Sequence, residues 1–161
     1  MTSFKTLAIA AAVVASLGTF GGAQAGELFF EGDMVRGGTP DGATGPGCVL
    51  ASQYMRQEHV VWRVRVLNAA GENVDGEGLQ SLVVRLSDGQ EFPARFGQHP
   101  RGKHTDAFWA TSWGIPADYP TGTVTYKVIA TSLDGNTVEW EPFIVAPSQL
   151  TVIPGEVTFT K

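Results

Sequence analysis

The chain has 161 residues, of which 43% are hydrophobic and 17% are charged, and its formal net charge is −5. An acidic chain lacks the basic surface that general nucleic-acid binding requires, so we expect no nucleic-acid partner. The length suits a single domain with one hydrophobic core.

Residues 1–25 have the three parts of a secretory signal peptide. A basic start at Lys5 precedes an apolar run over residues 7–17, and Ala-Gln-Ala ends the segment. The run is shorter than the roughly 20 residues of a transmembrane helix, and glycine rather than cysteine follows the expected cleavage point, so we expect no membrane anchor. The sequence predicts a periplasmic or secreted protein whose formal charge becomes −6 when Lys5 is removed.

Residues 26–47 are predicted to form a glycine-rich N-terminal arm. Six glycines and two prolines lie within residues 31–47, which favours a loop or extended segment and places the start of the folded domain near Cys48. Cys48 is the single cysteine of the chain, so it cannot form an intramolecular disulfide. In an oxidising compartment it is buried, binds a metal or joins two chains, and a disulfide-linked dimer through Cys48 is one prediction.

Short strands with turns between them follow from residue 59 onward. Alternating apolar residues predict a strand over His59–Leu67 with Trp62 in the core. Residues 82–86, 92–96 and 106–115 are the next strand candidates, the second pairing back on the first. This pattern predicts an all-β, Greek-key β-sandwich of about seven strands over residues 48–147.

Residues 119–137 carry the strongest fold signal. Tyr126, Val128 and Ala130 alternate with more polar positions, and Asp-Gly-Asn at residues 134–136 supplies a turn before a return strand over residues 137–145. Residues 120–136 resemble the penultimate strand and turn of bacterial immunoglobulin-like, cadherin-like and polycystic-kidney-type extracellular modules. The resemblance implies an immunoglobulin-like sandwich, although the acidic calcium ligands of cadherin-like modules do not occur here. Residues 148–161 form a tail or add an edge strand.

A metal, copper or haem iron, is one ligand that the side chains allow. Sulfur and imidazole groups favour copper, and the candidate ligands are Cys48, Met55, His59, His99 and His104. On one continuous strand Met55 and His59 would lie about 13 Å apart, so a shared ion requires a bend at residues 56–57. The Pro/Gly loop between His99 and His104 can bring two imidazoles together, but cations at residues 101 and 103 oppose an added metal charge.

Basic residues on predicted outer faces are a second candidate site. They are Arg63, Arg65, Arg85 and Lys127. As one stripe on an acidic protein they would dock an anionic partner, whereas each would be a solvated surface residue if it had its own local acid. We also expect partner contacts at residues 31–47 and 97–106, because sandwich folds usually carry function on their loops.

Aromatic side chains allow a third kind of site, a surface that stacks on sugar rings. Trp109 and Trp113 share one face of their strand, and sugar binding requires that face to be exposed, whereas the pattern favours the core. No catalytic motif is present, so we expect no enzymatic activity. The sequence predicts an exported immunoglobulin-like module that docks to another periplasmic protein, with a metal-binding protein and a carbohydrate-binding module as alternatives.

Overall fold

The computed structural model describes residues 27–37, 49–99 and 106–155. In these ranges the chain forms twelve strands and one 3-10 helix. The strands are β1 (Phe29–Arg36), β2 (Val49–Leu50), β3 (Gln53–Met55), β4 (His59–Leu67), β5 (Leu79–Leu86), β6 (Glu91–Pro93), β7 (Arg95–His99), β8 (Asp106–Gly114), β9 (Gly122–Val124), β10 (Tyr126–Ser132), β11 (Thr137–Trp140) and β12 (Leu150–Ile153), and the helix spans Ala146–Ser148. No helix in the described ranges is long and apolar enough to cross a membrane.

Two antiparallel sheets make up most of the molecule. The first has five strands in the order β2-β1-β4-β8-β7, and the second has four in the order β11-β10-β5-β6. A small third sheet has the order β3-β12-β9, in which β12 runs parallel to β3 and antiparallel to β9. The all-β fold predicted from the strand pattern is confirmed.

The core lies between the two large sheets. Alternation along β4 buries Val60, Trp62, Val64 and Val66, as predicted. Trp62 stacks on Phe92 with ring centroids 5.8 Å apart, and it makes an edge contact with Tyr126 at a centroid distance of 5.7 Å. Phe92 lies on β6 and Tyr126 on β10, both in the four-stranded sheet. These contacts across the layers make the fold a β-sandwich, and each large side chain buried there contributes about 1.5–3 kcal/mol.

Strand β1 departs most from the sequence prediction. A loop or extended arm, and not a regular element, is predicted over residues 31–47, whereas the eight residues of β1 pair with β4 along their whole length. Gly32 faces the core here, and a Cβ at this position would lie 3.0 Å from the ring of Trp140, which stacks on Phe30. The loop prediction is wrong for residues 31–36 because this glycine makes room for a side chain of the facing sheet and does not mark a turn.

The predicted strand over residues 92–96 divides at Ala94 between the two sheets. The segment β6 pairs with β5, as predicted, and β7 pairs with β8 at an edge of the five-stranded sheet. At the corner, the N–H of Ala94 donates to the carbonyl of Leu82 at 2.8 Å. Residues 97–99, predicted as part of a contact loop, therefore lie on a sheet edge.

The C-terminal part of the fold confirms the hairpin but not all of its bounds. Strands β10 and β11 pair around a turn in which Gly135 has φ 86°, a conformation that favours glycine. The return strand ends at Trp140 and not at residue 145. Leu150 and Val152 on β12 belong to the core, so the sandwich extends beyond residues 48–147 at both ends. The predicted signal peptide and the candidate strand over residues 157–160 lie outside the described residues.

Candidate functional site

The four candidate cations lie on two different faces of the sandwich. Arg63 and Arg65 alternate with the buried residues of β4, so they lie on the outer face of the five-stranded sheet. Arg85 and Lys127 are register partners on β5 and β10, on the outer face of the four-stranded sheet. The prediction of one basic stripe is wrong, because strand alternation points cations outward from both sheets.

A cross-strand row organises the outer face of the five-stranded sheet. Asp33, Arg63, Ala110 and Arg95 are consecutive register partners on β1, β4, β8 and β7. Arg63 donates to both carboxylate oxygens of Asp33, at 2.7 and 2.5 Å. Since neighbouring strands lie about 4.8 Å apart, the backbones of Arg63 and Arg95 lie about 10 Å apart. The methyl group of Ala110 is the side chain between the two arginines in this row.

Arg95 differs from the other two arginines of this face. Arg65 lies 3.2 Å from Glu31 and 3.6 Å from Asp106, and Arg63 is held by its own acid as described above. Arg95 is exposed, and no acidic side chain of the described residues lies within ion-pair distance of it. The row therefore presents one guanidinium to solvent without a carboxylate from the described part of the chain.

A concave region of about 410 Å³ lies beside Arg95. Its lining includes the side chains of Val61, Phe108, Ala110, Arg63, Arg95 and His99. The guanidinium carbon of Arg63 lies 5.7 Å from the centre of the Phe108 ring, and the His99 ring lies 6.2 Å from it. Gly97 leaves space above the strand, since a Cβ built there meets no atom within 4 Å. We call this region the β7 cleft, and it has room for an apolar group with a carboxylate beside it.

The outer face of the four-stranded sheet has each of its candidate cations paired. Arg85 Nη2 lies 2.6 Å from Glu91, and Lys127 Nζ lies 2.6 Å from Glu139. Both acids are register partners of residues on β5 or β10, so each pair lies across neighbouring strands. These two cations are therefore surface residues with local acids, which was the alternative to a docking stripe.

A buried carboxylate lies where β3 turns into β4. Glu58 is 3% exposed, and its Oε2 accepts the N–H of Met55 at 2.8 Å. Arg36 Nε lies 3.0 Å from Oε1 of the same group, without hydrogen-bond geometry, and the Arg36 guanidinium lies 5.9 Å from the ring centre of Tyr54. Burial raises the pKa of Tyr54 above its ordinary value, and the positive charge of Arg36 opposes this. The cluster is structural, because Glu58 ties together the turn between two strands.

The two histidine candidates within the described residues are not brought together. The required bend at residues 56–57 exists, with Gln57 at φ 71°. His59 and His99, however, pair with Gly114 and Asp106 at opposite ends of β8, so they lie about 26 Å apart along that strand and cannot share an ion. No cluster of three or more His, Cys, Asp or Glu residues in the described part could hold a metal. Cys48 and His104, and with them the predicted disulfide-linked dimer, lie outside it.

The two candidate sugar-stacking tryptophans lie in the core, as the pattern favoured. Trp109 and Trp113 are 5% and 6% exposed, and Trp109 Nε1 donates to the carbonyl of Val74 at 2.9 Å. The exposure that sugar stacking on this pair requires is absent. Phe143 is 83% exposed and lines a separate concave region of about 480 Å³ together with Trp140.

Arg95 and Ala110 are site residues that sequence reasoning missed, and Gly97 was predicted only as part of a contact loop. Arg95 and Gly97 share a face only once β7 is recognised as a strand, and the i, i+2 spacing of Arg95, Gly97 and His99 is the signal that could have shown it. Ala110 becomes informative only when the register places it between two arginines. No protein-family model matches this chain, and comparison with curated proteins and with solved structures finds no similar protein.

Proposed function

We propose that this protein is an exported immunoglobulin-like binding module that docks to another periplasmic protein through the outer face of its five-stranded sheet. The signal-peptide pattern of residues 1–25 supports export. The resemblance of residues 120–136 to extracellular modules supports the immunoglobulin-like assignment. The β-sandwich supplies a rigid platform for side chains on that face.

The observation that carries this proposal is the row Arg63–Ala110–Arg95 beside the β7 cleft. A cation that already has its own acid gains little from a partner's charge, because it exchanges one ion pair for another. Arg95 has no described acid and lies next to Phe108 and Gly97, so a partner can supply a carboxylate and an apolar group at adjacent points. Arginine beside aromatic and apolar surface is typical of the central part of protein interfaces.

Cross-linking in the native host tests the proposal. The full-length chain with a C-terminal epitope tag is expressed, the periplasmic fraction is treated with a short cross-linker, and adducts of the wild type, Arg95→Glu and Lys127→Glu are compared. The two substitutions reverse one charge each on opposite outer faces, so general electrostatics affects both alike.

We expect a discrete adduct with the wild type and with Lys127→Glu, and its loss with Arg95→Glu. An adduct that survives all three variants, or that Lys127→Glu removes equally, contradicts docking through this face. Recovery of the tagged chain only from the cytoplasm contradicts export.

A further inference from the structure

We propose that the partner segment docked at this face is an extended strand that adds to the edge of β7 and carries an acidic residue two positions from an aromatic residue. This inference rests on the proposed function and specifies the chemistry of the partner. It commits to one mode of recognition, in which main-chain hydrogen bonds supply affinity and alternate side chains supply specificity.

The position of β7 in its sheet provides the first argument. β7 is the last strand in the order β2-β1-β4-β8-β7, and among the described residues it pairs with β8 alone. Its five residues, Arg95–His99, therefore present one row of backbone N–H and C=O groups to a further strand. Exposure along β7 is high, since Phe96 is partly buried and the other four residues are exposed.

The side chains of β7 provide the second argument. Arg95 and Gly97 alternate with core-facing Phe96 and lie on the outer face. A residue directly opposite Arg95 on an added strand has its Cβ about 5 Å away, within reach of an ion pair. An aromatic ring opposite Gly97 covers the bare glycine and contacts Phe108, the register partner of Gly97 on β8. In this position the aromatic ring of the partner strand lies over the β7 cleft.

Charge provides the third argument. The chain as a whole has a net charge of −5, so it repels an acidic segment at most points of its surface. Arg95 is exposed without an acid from the described residues, which makes the edge of β7 a local exception. We specify no residue on the added strand opposite His99, because His99 already has Asp106 as its register partner on β8.

A synthetic peptide tests the inference directly. The probe is the capped, fluorescein-labelled peptide Thr-Glu-Thr-Phe-Thr-Glu-Thr, which carries an acid on both sides of the ring because a strand can add in either direction. Fluorescence anisotropy measures its Kd for the purified mature protein. A scrambled peptide of identical composition, without the acid-x-aromatic spacing, is the control for charge and hydrophobicity.

Two variants locate the binding. Arg95→Glu replaces the cation, and we expect the Kd for the probe to rise about tenfold, as expected when an attractive contact becomes repulsive. Gly97→Phe fills the place of the partner's ring, and we expect a rise of at least about tenfold because the two rings would overlap. Gly76→Phe is the matched control, since a Cβ at Gly76 also meets nothing within 4 Å.

A charge swap completes the design. We expect Arg95→Glu to regain affinity for a probe in which lysine replaces both glutamates, while Lys127→Glu gains none. Equal binding of the ordered and scrambled peptides, or an unchanged Kd for Gly97→Phe, overturns the inference. If the peptide fails to bind while Arg95→Glu still removes the cross-linked adduct, the docking face stands and the strand-addition mode is wrong. If neither responds, the proposed function itself is wrong.

Discussion

The outer faces of the two large sheets carry similar residues but arrange their charges differently. On the four-stranded sheet, Arg85 and Lys127 each meet one local carboxylate at 2.6 Å. On the five-stranded sheet, Arg63 holds Asp33 with two hydrogen bonds, while Arg95 has no acid among the described residues. Among the described residues, both candidate cations on the four-stranded sheet have a local acid. On the five-stranded sheet, Arg95 has none.

This difference shows that position in the sheet, and not residue type, separates a cation without an acid among the described residues from one that has an acid on a neighbouring strand. Lys127 has Glu139 on the neighbouring strand β11, and Arg85 has Glu91 on β6. Arg95 lies on an edge strand whose one described neighbour presents Ala110 at the matching position. An edge residue loses half of its cross-strand partners, which is why we propose that an added strand supplies the acid opposite Arg95.

The largest expected effect comes from comparing an ion pair whose acid is buried with an ion pair on an outer face. Replacing Arg36 with methionine leaves Glu58, whose side chain is 4% exposed, without its positive partner. We expect Arg36→Met to lower the free energy of unfolding by about 3 kcal/mol, because an uncompensated charge remains inside the fold. Urea denaturation of the mature protein at pH 7 measures this loss.

Arg85→Met is the matched control for Arg36→Met. Both side chains of the Arg85–Glu91 pair are at least 40% exposed, so its loss should change stability by no more than about 0.5 kcal/mol. Equal losses for the two variants would show that burial of the acid does not decide the energy. Arg36→Met combined with Glu58→Gln should recover part of the loss, since no charge then stays buried.

An intermediate effect separates the two outer faces themselves. Arg63 donates two hydrogen bonds to Asp33 and lies over the Phe108 ring, whereas Lys127 makes a single contact with Glu139. We expect Arg63→Met to cost about 1 kcal/mol and Lys127→Met about half as much, because a two-point pair fixes its geometry. Thermal denaturation at low and high salt measures both losses, and 1 M salt should reduce them.

Double-mutant cycles test whether each loss of stability comes from the ion pair itself. Asp33→Asn with Arg63→Met gives the coupling energy of the pair, and Glu139→Gln with Lys127→Met gives the other. A larger coupling on the four-stranded sheet would reverse the comparison between the faces.

The sequence predicts the centre of this fold better than its margins, for a physical reason. Alternating apolar residues in β4 and β10 report burial directly, so Trp62 and Val128 are found in the core without other information. Gly32 misleads, because glycine signals a turn locally and a close packing contact globally. The switch of sheets at Ala94 leaves no sequence pattern, since both halves remain extended.

The candidate site is less predictable than the core, because it depends on register. The outward direction of Arg63 and Arg65 follows from alternation, and the sequence predicts it correctly. Their separation from Arg85 and Lys127 follows from strand order, which one sequence does not contain. Arg95 is distinguished only by which residues lie opposite it, and these come from a strand 11 or more residues later in the chain.

A third predicted effect, no larger than that of Arg63→Met, depends on pH and concerns a hydrogen bond beside the hairpin between β5 and β6. Tyr119 donates its hydroxyl to Asp88 Oδ2 at 2.6 Å. Burial and the bond to Asp88 raise the pKa of Tyr119 to about 12. Burial raises the pKa of Asp88, but the hydrogen bonds from Tyr119 and Gln90 outweigh it and place the pKa below its ordinary value. The folded protein therefore favours the pair of neutral tyrosine and ionised aspartate.

The two shifts give the pH range over which this bond stabilises the fold. A raised tyrosine pKa contributes stability that is complete below the ordinary value of 10 and is lost as pH rises from there to about 12. A lowered aspartate pKa contributes stability that is complete above 3.8 and is lost as pH falls through the folded value. We expect Tyr119→Phe to cost about 1 kcal/mol at pH 7 and almost nothing near pH 12 or at strongly acid pH.

Urea denaturation of the wild type and Tyr119→Phe at pH 7, 10 and 12 measures this profile. Tyr126 is also buried with a pKa raised to about 12, so both proteins should lose stability at high pH, and the difference between them is the informative quantity. A difference that stays constant from pH 7 to pH 12 would show that the hydrogen bond from the Tyr119 hydroxyl to Asp88 does not stabilise the fold. In that case Tyr119 stabilises the fold through its edge-on ring contact with Trp113, at a centroid distance of 4.8 Å, which Tyr119→Phe retains and Tyr119→Ala removes.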